Sequence, residues 1–356
     1  LTLQKQRSNR GLLNSRSNSI EQILVNAWYK PRSWILLLIP IAWLFRLLVA
    51  LRHYLLQALH QGHGFPVPLV VIGNITLGGS GKTPLIIGLV NSLHARGYRV
   101  AVISRGYGAS AVSHPLEVSI DTPASLCGDE PLLIKRKLHQ LGCTVVVDAN
   151  RKRAADYVIA NCACDLILSD DGLQHYKLHR DAEIAVIDGA RGFGNGHCLP
   201  AGPLREPINR LKDTDFIVSN GSPVKPWYNR ISYQFDIQPL VFRHLVSGEL
   251  VQADAWSISS VVHAVAAIGN PQRFAKTLES LGLTVILHPN DDHKPLDQSM
   301  LDFNDGKPVI ITEKDAVKLQ SFEGDHIWVL EVDISLDNHF VDSLLNRINL
   351  APNKGS

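Results

Sequence analysis

The chain has 356 residues, 45% of them apolar, enough for substantial cores and for two domains as the default expectation. With 35 Lys and Arg against 33 Asp and Glu the net charge is +2, so no overall basic field points to nucleic acid. Five cysteines, an odd number, argue for a reducing compartment over a disulfide scaffold, and the Cys162–Cys164 pair has no second pair to complete a zinc site.

Residues 1–19 are rich in Ser, Asn, Arg and Gln without an apolar period, and read as a disordered tail. The segment 20–62 is different. Trp34 to Leu51, "WILLLIPIAWLFRLLVAL", carries one charge, Arg46, in 18 residues, about the minimum for spanning a bilayer. Pro40 predicts a kink. Arg46, His53, Gln57 and His60 are spaced 7, 4 and 3 and share one helical face. An apolar entry followed by an amphipathic helix suits a segment lying in or dipping into a membrane, with Lys30, Arg32 and Arg52 placed for anionic headgroups. A buried core helix is the competing reading. A signal peptide is disfavoured, because no small-residue cleavage site follows before Gln61.

From Pro68 strands and helices alternate. "LVVIGN" enters a glycine-rich loop, and "KTPLIIGLVNSLHARG" reads as a helix closed by Gly97. "YRVAVIS", "TVVVD", "CDLILSDDG", "AEIAVIDG" and "DFIVSNG" read as strands, with helices over "EPLLIKRKLHQLG" and "RKRAADYVIA". Near Ser222–Lys225 the composition changes, and "WYNRISYQF" and "PLVFRHLV" look like paired extended segments bridging two domains. A second alternating unit follows: "VHAVAAIG", helix "PQRFAKTLESLG", then "LTVILH", "KPVIIT" and "HIWVLEVD". The expected fold is α/β: a P-loop NTPase-like, mostly parallel sheet with helices on both faces, a smaller α/β domain and an N-terminal membrane-associated helix. The expected boundaries are 1–19 for the tail, 20–62 for the membrane-associated segment, 63–222 for the P-loop domain, 223–250 for a two-stranded linker and 251–356 for the smaller domain.

The loop "TLGGSGKT" (Thr76, Leu77, Gly78, Gly79, Ser80, Gly81, Lys82, Thr83) has the phosphate-contacting end of a P-loop, with Thr76 where the common pattern has its first glycine. Its glycines free backbone N–H groups for phosphate oxygens, and the helix N-terminus adds partial positive charge. Lys82 would reach the β/γ-phosphates and Thr83 would ligate Mg²⁺. "LILSDDGLQH" delivers Asp170 and Asp171 to a strand end, either as metal carboxylates or as an aspartate turn. His175 either orients an acid or is a plain surface histidine. "CGDEP" sets Asp129 and Glu130 before a helix, as N-terminal acids or as catalytic carboxylates. "PAGPLREP" stiffens Arg205 and Glu206 between prolines, for a phosphate grip or a surface ion pair. "NDDHKP" offers Asp291, Asp292 and His293. Guanine specificity is unsupported: Gly172 follows Asp170 too closely for D-x-x-G, and "TEKD" has its lysine misplaced.

In this order "GNITLGGSGKTP", "ISRGYG", "GDEP", "DDGLQH", "VIDGARGFGNGHCLPAGPLREP", "AIGNPQRF" and "TEKDAVK" resemble the tetraacyldisaccharide 4′-kinases, lipid A pathway enzymes of Gram-negative bacteria, over roughly residues 24 to 345. That family also carries threonine at the position of Thr76. The resemblance implies transfer of the ATP γ-phosphate to the 4′-hydroxyl of an acylated glucosamine disaccharide 1-phosphate lipid, giving lipid IVA. It implies ATP and Mg²⁺, and a place on the cytoplasmic face of the inner membrane, peripheral or N-terminally anchored. By resemblance Asp129 is the catalytic base, paired with His293. Lys82, Thr83 and Asp170 form the phosphate and Mg²⁺ set. Asp171, Glu130, His175, Arg205 and Glu206 fall in active-site motifs. Lys294 departs from the family, which often has a second histidine there. The alternative is a membrane-associated P-loop ATPase switch that phosphorylates no lipid and needs neither Asp129 nor His293. Neither reading fixes an oligomeric state.

Overall fold

The structure, a computed structural model, describes residues 23–30, 33–58, 64–110, 114–223, 232–290, 296–319 and 324–350. The expected tail and the "DDHKP" segment with His293 lie outside them.

The first sheet has eight strands: β1 (Leu69–Gly73), β2 (Val100–Ser104), β3 (Leu116–Glu117), β4 (Thr144–Val147), β5 (Leu166–Asp170), β6 (Ala182–Asp188), β7 (Phe216–Asn220) and β8 (Tyr233–Phe235). Their order is β3-β4-β2-β5-β1-β6-β7-β8, and every pairing is parallel except β3 with β4. The central strands are apolar on both faces because helices cover both. Val70 and Ile72 pack with the helices Lys82–His94 and Asp129–Leu138, while Leu69 and Val71 pack with Arg151–Asn161. Strands of one direction end along one edge. Across β2, β5, β1, β6 and β7 that edge carries Ser104, Asp170, Asn74 (one residue past β1), Asp188 and Asn220, all buried. Such a strand-end crevice is where α/β sheets bind ligands.

The second sheet has six strands: β9 (Ile237–His244), β10 (Leu250–Gln252), β11 (Val261–Ala266), β12 (Thr284–Pro289), β13 (Val309–Thr312) and β14 (Ile327–Ile334). Its order is β10-β9-β14-β13-β11-β12, with β11 to β14 parallel and β9 antiparallel to β14. Phe274 and Leu278 of the helix Pro271–Ser280 cover one face.

Three expectations change. Among the described residues the two expected partners do not pair with each other: β8 extends the first sheet beside β7, and β9 joins the second beside β14. Each finds a longer parallel or antiparallel partner in a larger sheet than a two-stranded ribbon could offer. The last helix, Asn338–Arg347, leaves the second sheet and packs Phe340, Val341 and Leu344 into the first sheet's core, so 251–356 is not one unit. Pro40 falls in the first turn of the helix Ile39–Ala58, where a missing N–H costs nothing, and marks a change from the 3₁₀ turn Trp34–Leu38 instead of a kink inside the helix.

Trp34–Leu56 forms one continuous stretch long and apolar enough to cross a bilayer, and most of it is not covered by protein. Leu37, Trp43, Leu47 and Tyr54 are exposed. The opposite side rests on the first domain: Phe45 packs against its core and His53 stacks on Tyr176 with ring centroids 4.2 Å apart. Just before it, Trp28 donates its Nε1–H to the Pro200 carbonyl at 2.9 Å.

Candidate active site

The loop explains why Thr76 is not glycine. Thr76 forms an antiparallel bridge with Leu204, Leu77 N–H donates to the Pro203 carbonyl (2.8 Å), and Arg205 N–H donates to the Ile75 carbonyl (2.7 Å). This extended entry suits any residue. The turn itself begins at Gly78 (φ +93°), and Gly81 (φ +95°) caps the helix Lys82–His94, both in the left-handed region that favours glycine. The Asn74 amide braces the turn, donating to the Gly78 carbonyl at 3.3 Å and accepting from Lys82 Nζ at 3.4 Å.

Beside β1, β5 ends in Asp170. Its Oδ2 accepts from Ser104 Oγ (3.1 Å), and its main-chain oxygen accepts from the buried Arg151 guanidinium (2.7 Å). Its Oδ1 is buried and has no hydrogen-bond partner among the described residues. Burial and the nearby Glu130 push its pKa up to about 7, against the pull of Lys82. Asp171 turns the chain at φ +46° and meets Lys82 Nζ at 3.2 Å and Arg205 at 3.0 Å. Burial opposes its ionisation, but those two cations hold it well below the usual carboxylate range. Thr83 is buried in the first turn of the helix.

The second sheet closes over the same loop. Gly269 lies so near Gly79 that a Cβ on it would meet the Gly79 backbone nitrogen. Asn270 donates to Asp188 (3.4 Å), Arg273 donates to Asn220 Oδ1 (2.6 Å), and Asn220 Nδ2 donates to the Ser80 carbonyl (3.1 Å). From the turn after β13, Lys314 pairs with Glu130 at 3.0 Å. Lys318 stands 3.9 Å from Asp129 and is held by Asp315 (2.9 Å) and the Ala267 carbonyl (3.1 Å). Gly128 is the N-cap of the helix Asp129–Leu138, so Asp129 and Glu130 occupy its first turn.

Lys82, Asp171 and Arg205 are thus in one ion-paired chain, with Asp170 and Glu130 alongside and Asp129 on the small-domain side. Glu206 is not brought into this ion-paired chain. It is buried, accepts from the Tyr176 hydroxyl and lies 3.5 Å from Arg210, because Arg205 and Glu206, being neighbours in an extended loop, point to opposite sides. The His175 main chain closes the turn onto Gly172 (2.9 Å), and its ring stays neutral at neutral pH: burial, then Arg151 and Arg105, push its pKa down to about 4. Sequence reading missed Asn74, Arg151, Asn220, Lys314 and Lys318. Asn74, directly after an apolar strand and before the glycines, was the findable one.

A glycine turn between a parallel strand and a helix, a lysine opening that helix and carboxylates on the adjoining strand end define a P-loop nucleotide-handling protein. The family model described as tetraacyldisaccharide-1-P 4′-kinase matches residues 34–349. The tetraacyldisaccharide 4′-kinase of Ectopseudomonas mendocina (strain ymp) is 45% identical over 322 residues, covering 90% of this chain and 95% of that one. That of Nitrosococcus oceani is 43% identical over 335 residues, covering 93% and 96%. A crystal structure of an "apo" form of LpxK from Aquifex aeolicus in complex with ATP aligns with a TM-score of 0.71 at 25% identity, covering 88% of this chain and 99% of that one. The chain belongs to the tetraacyldisaccharide 4′-kinase family and is a kinase.

Proposed function

We infer that the chain transfers the γ-phosphate of ATP to the 4′-hydroxyl of a tetraacylated glucosamine disaccharide 1-phosphate, forming lipid IVA, at the cytoplasmic face of the inner membrane. The exposed apolar side of Trp34–Leu56 supports the membrane setting. Gly78 to Thr83 hold the phosphates, and Lys82 and Arg205 neutralise the transferring group. Asp129 takes the proton of the attacking 4′-hydroxyl as the new O–P bond forms and the bond to ADP breaks, with His293 as its partner.

The residues present fit a Mg²⁺ ion. Asp171 is already spent on Lys82 and Arg205, whereas Asp170 aims a buried, unpartnered oxygen beside the loop, so Asp170 and Thr83 are assigned to hold the metal. When bound, Mg²⁺ supplies charge neutralisation on the β- and γ-phosphate oxygens.

The observation that carries this reading is the convergence of Lys82, Asp171, Arg205 and the free Asp170 oxygen, from three separate segments, on one glycine turn. The test is incubation with γ-labelled ATP, Mg²⁺ and the disaccharide 1-phosphate in detergent. A labelled lipid is expected from the wild type and none from Asp129→Ala. ATP hydrolysis without lipid labelling, unaffected by Asp129→Ala, would make the chain an ATPase switch instead.

A further inference from the structure

The motif "TEKDAVK" begins where β13 ends, and its first turn is built around a carboxylate that never meets water. Asp315 Oδ2 accepts from the Thr312 hydroxyl (2.7 Å) and the Ala267 N–H (3.2 Å), and its Oδ1 accepts from Lys318 Nζ (2.9 Å). Lys318 also donates to the Ala267 carbonyl at 3.1 Å, and its side chain is 4% exposed. An ammonium carries three N–H donors on a flexible stem. Here two of them are held by the small domain's own frame, so the nitrogen's position is set within that domain. Across the interface Asp129 Oδ2 lies 3.9 Å away.

That separation is too long for a hydrogen bond, so Lys318 leaves this Asp129 oxygen able to accept a proton from elsewhere. It is still short enough for strong attraction between charges that little water screens. The other charged contacts of the same turn do close to hydrogen-bond length. Lys314 reaches Glu130 at 3.0 Å, and Glu313 reaches Lys137 at 2.6 Å. Glu130 and Lys137 lie about two turns apart on the helix Asp129–Leu138, so both contacts fall on one of its faces. Between them Val317 is buried in the larger domain's core. The turn thus resists rolling and sliding of the helix and also sets a cation beside its first residue.

We propose that residues 312–319 form the positioning element for the base of the transfer reaction: Lys318, locked by Asp315 and the Ala267 carbonyl, holds the Asp129 carboxylate in place, and Lys314 does the same for Glu130. The proposal rests on the reading of Asp129 as the base that takes the acceptor proton. It makes Lys318 and Lys314 positioning residues, which act on the rate through the two acids and contribute nothing to the binding of either substrate.

The test is a pair of double-mutant cycles, Lys318→Met with Asp129→Asn and Lys314→Gln with Glu130→Gln, read as kcat and KM of lipid transfer per ATP-binding site. Alone, Lys318→Met is expected to lower kcat about a hundredfold, the scale of a catalytic group misplaced by about 1 Å, with KM for ATP and lipid within about twofold. With Asp129→Asn already in place the same change should lower kcat less than about threefold, because a residue acting through Asp129 then has nothing to position. Lys314→Gln should lower kcat about fivefold at unchanged KM, and no further once Glu130 is replaced. The Lys314–Glu130 pair is partly exposed, so this second cycle decides the matter where Lys318→Met melts below the assay temperature or Asp129→Asn turns over too slowly to time. A loss of kcat from Lys318→Met that is equal in both backgrounds would mean that Lys318 acts on the phosphates directly. A raised KM at unchanged kcat would mean that the turn only joins the domains. Either result overturns the proposal, as does additivity in the Lys314–Glu130 cycle. Full-rate transfer by the single variant Asp129→Asn removes the base assignment, and no labelled lipid from the wild type removes the kinase reading. Each of these takes the proposal with it and is recognised before either lysine is changed.

Discussion

The two sheets meet at one loop but bring opposite charges to it. The larger sheet and its helices contribute acids: Asp129, Glu130, Asp170, Asp171 and Asp188. The smaller one contributes cations: Arg273, Lys314 and Lys318. Five carboxylates gathered around a site for a polyanion repel one another and the ligand. Within the larger domain Lys82, Arg205 and Arg151 relieve part of that load, and Asp170 still carries a raised pKa. The difference teaches that the small domain acts less as a second binding platform than as a set of counter-charges for the crowded edge.

The largest expected effect sits inside the large domain. Lys82→Met removes the cation shared by Asn74 and Asp171 and the group assigned to the transferring phosphate. Transfer should fall by about a thousandfold or more in the labelled-lipid assay. Near-normal turnover would show that the small-domain cations, and not the loop, carry the charge neutralisation.

Next comes Lys318→Met, which tests the other half of the comparison. Lys318 is almost fully buried against Asp315, itself with no exposure, and removing one partner leaves the other uncompensated. The Thr312 hydroxyl and the Ala267 N–H soften the loss for Asp315, so a destabilisation of about 3 kcal/mol is expected by denaturant titration. A change below about 1 kcal/mol would mean that the acids tolerate each other without this lysine. A smaller effect is expected from Gly269→Ala. The added methyl must displace Gly79 or hold the sheets apart, and transfer should drop about tenfold with little change in melting temperature. Unchanged transfer would indicate that the contact between Gly79 and Gly269 is incidental to the chemistry.

How much of this was legible from the sequence follows the same division. The glycine turn, Lys82, the two aspartates and the strands before them are local patterns, read from residues adjacent in the chain. The fold class was legible for the same reason, since apolar runs and glycine stops alternate visibly. What escaped depends on contacts between distant segments. Arg151 looks like an ordinary helical arginine, and only packing shows it buried on the Asp170 carbonyl. Lys314 and Lys318 belong to a motif that counted toward the resemblance without a role for either lysine, and their partners lie about 185 residues away. That Glu206 faces Tyr176 and Arg210 while its neighbour Arg205 meets Asp171 was not legible, since sequence alone does not say which side of an extended loop a residue takes. The bounds 251–356 left the helix Asn338–Arg347 with the smaller domain, and nothing in its amphipathic pattern names the core it covers.

The smallest effect concerns the turn that both aspartates share. The His175 ring is partly buried among Arg151, Arg105 and Arg180, and its pKa is pushed down to about 4, first by burial and then by those cations. In the unfolded chain it titrates near 6.5. Between those values the unfolded state binds a proton that the folded state refuses, so stability must rise with pH through this window and be lost as pH falls through it. The full shift corresponds to at most about 3 kcal/mol, and partial solvent access reduces the expected loss to about 1–2 kcal/mol at pH 4.5 relative to pH 7. His175→Gln removes the titrating group and should flatten the stability profile between pH 7 and about 4.5, while leaving the acid loss that comes from Asp171 at lower pH. A wild type and variant with parallel profiles across this range would mean that the ring is solvated, and that the arginines beside it serve the carboxylates alone.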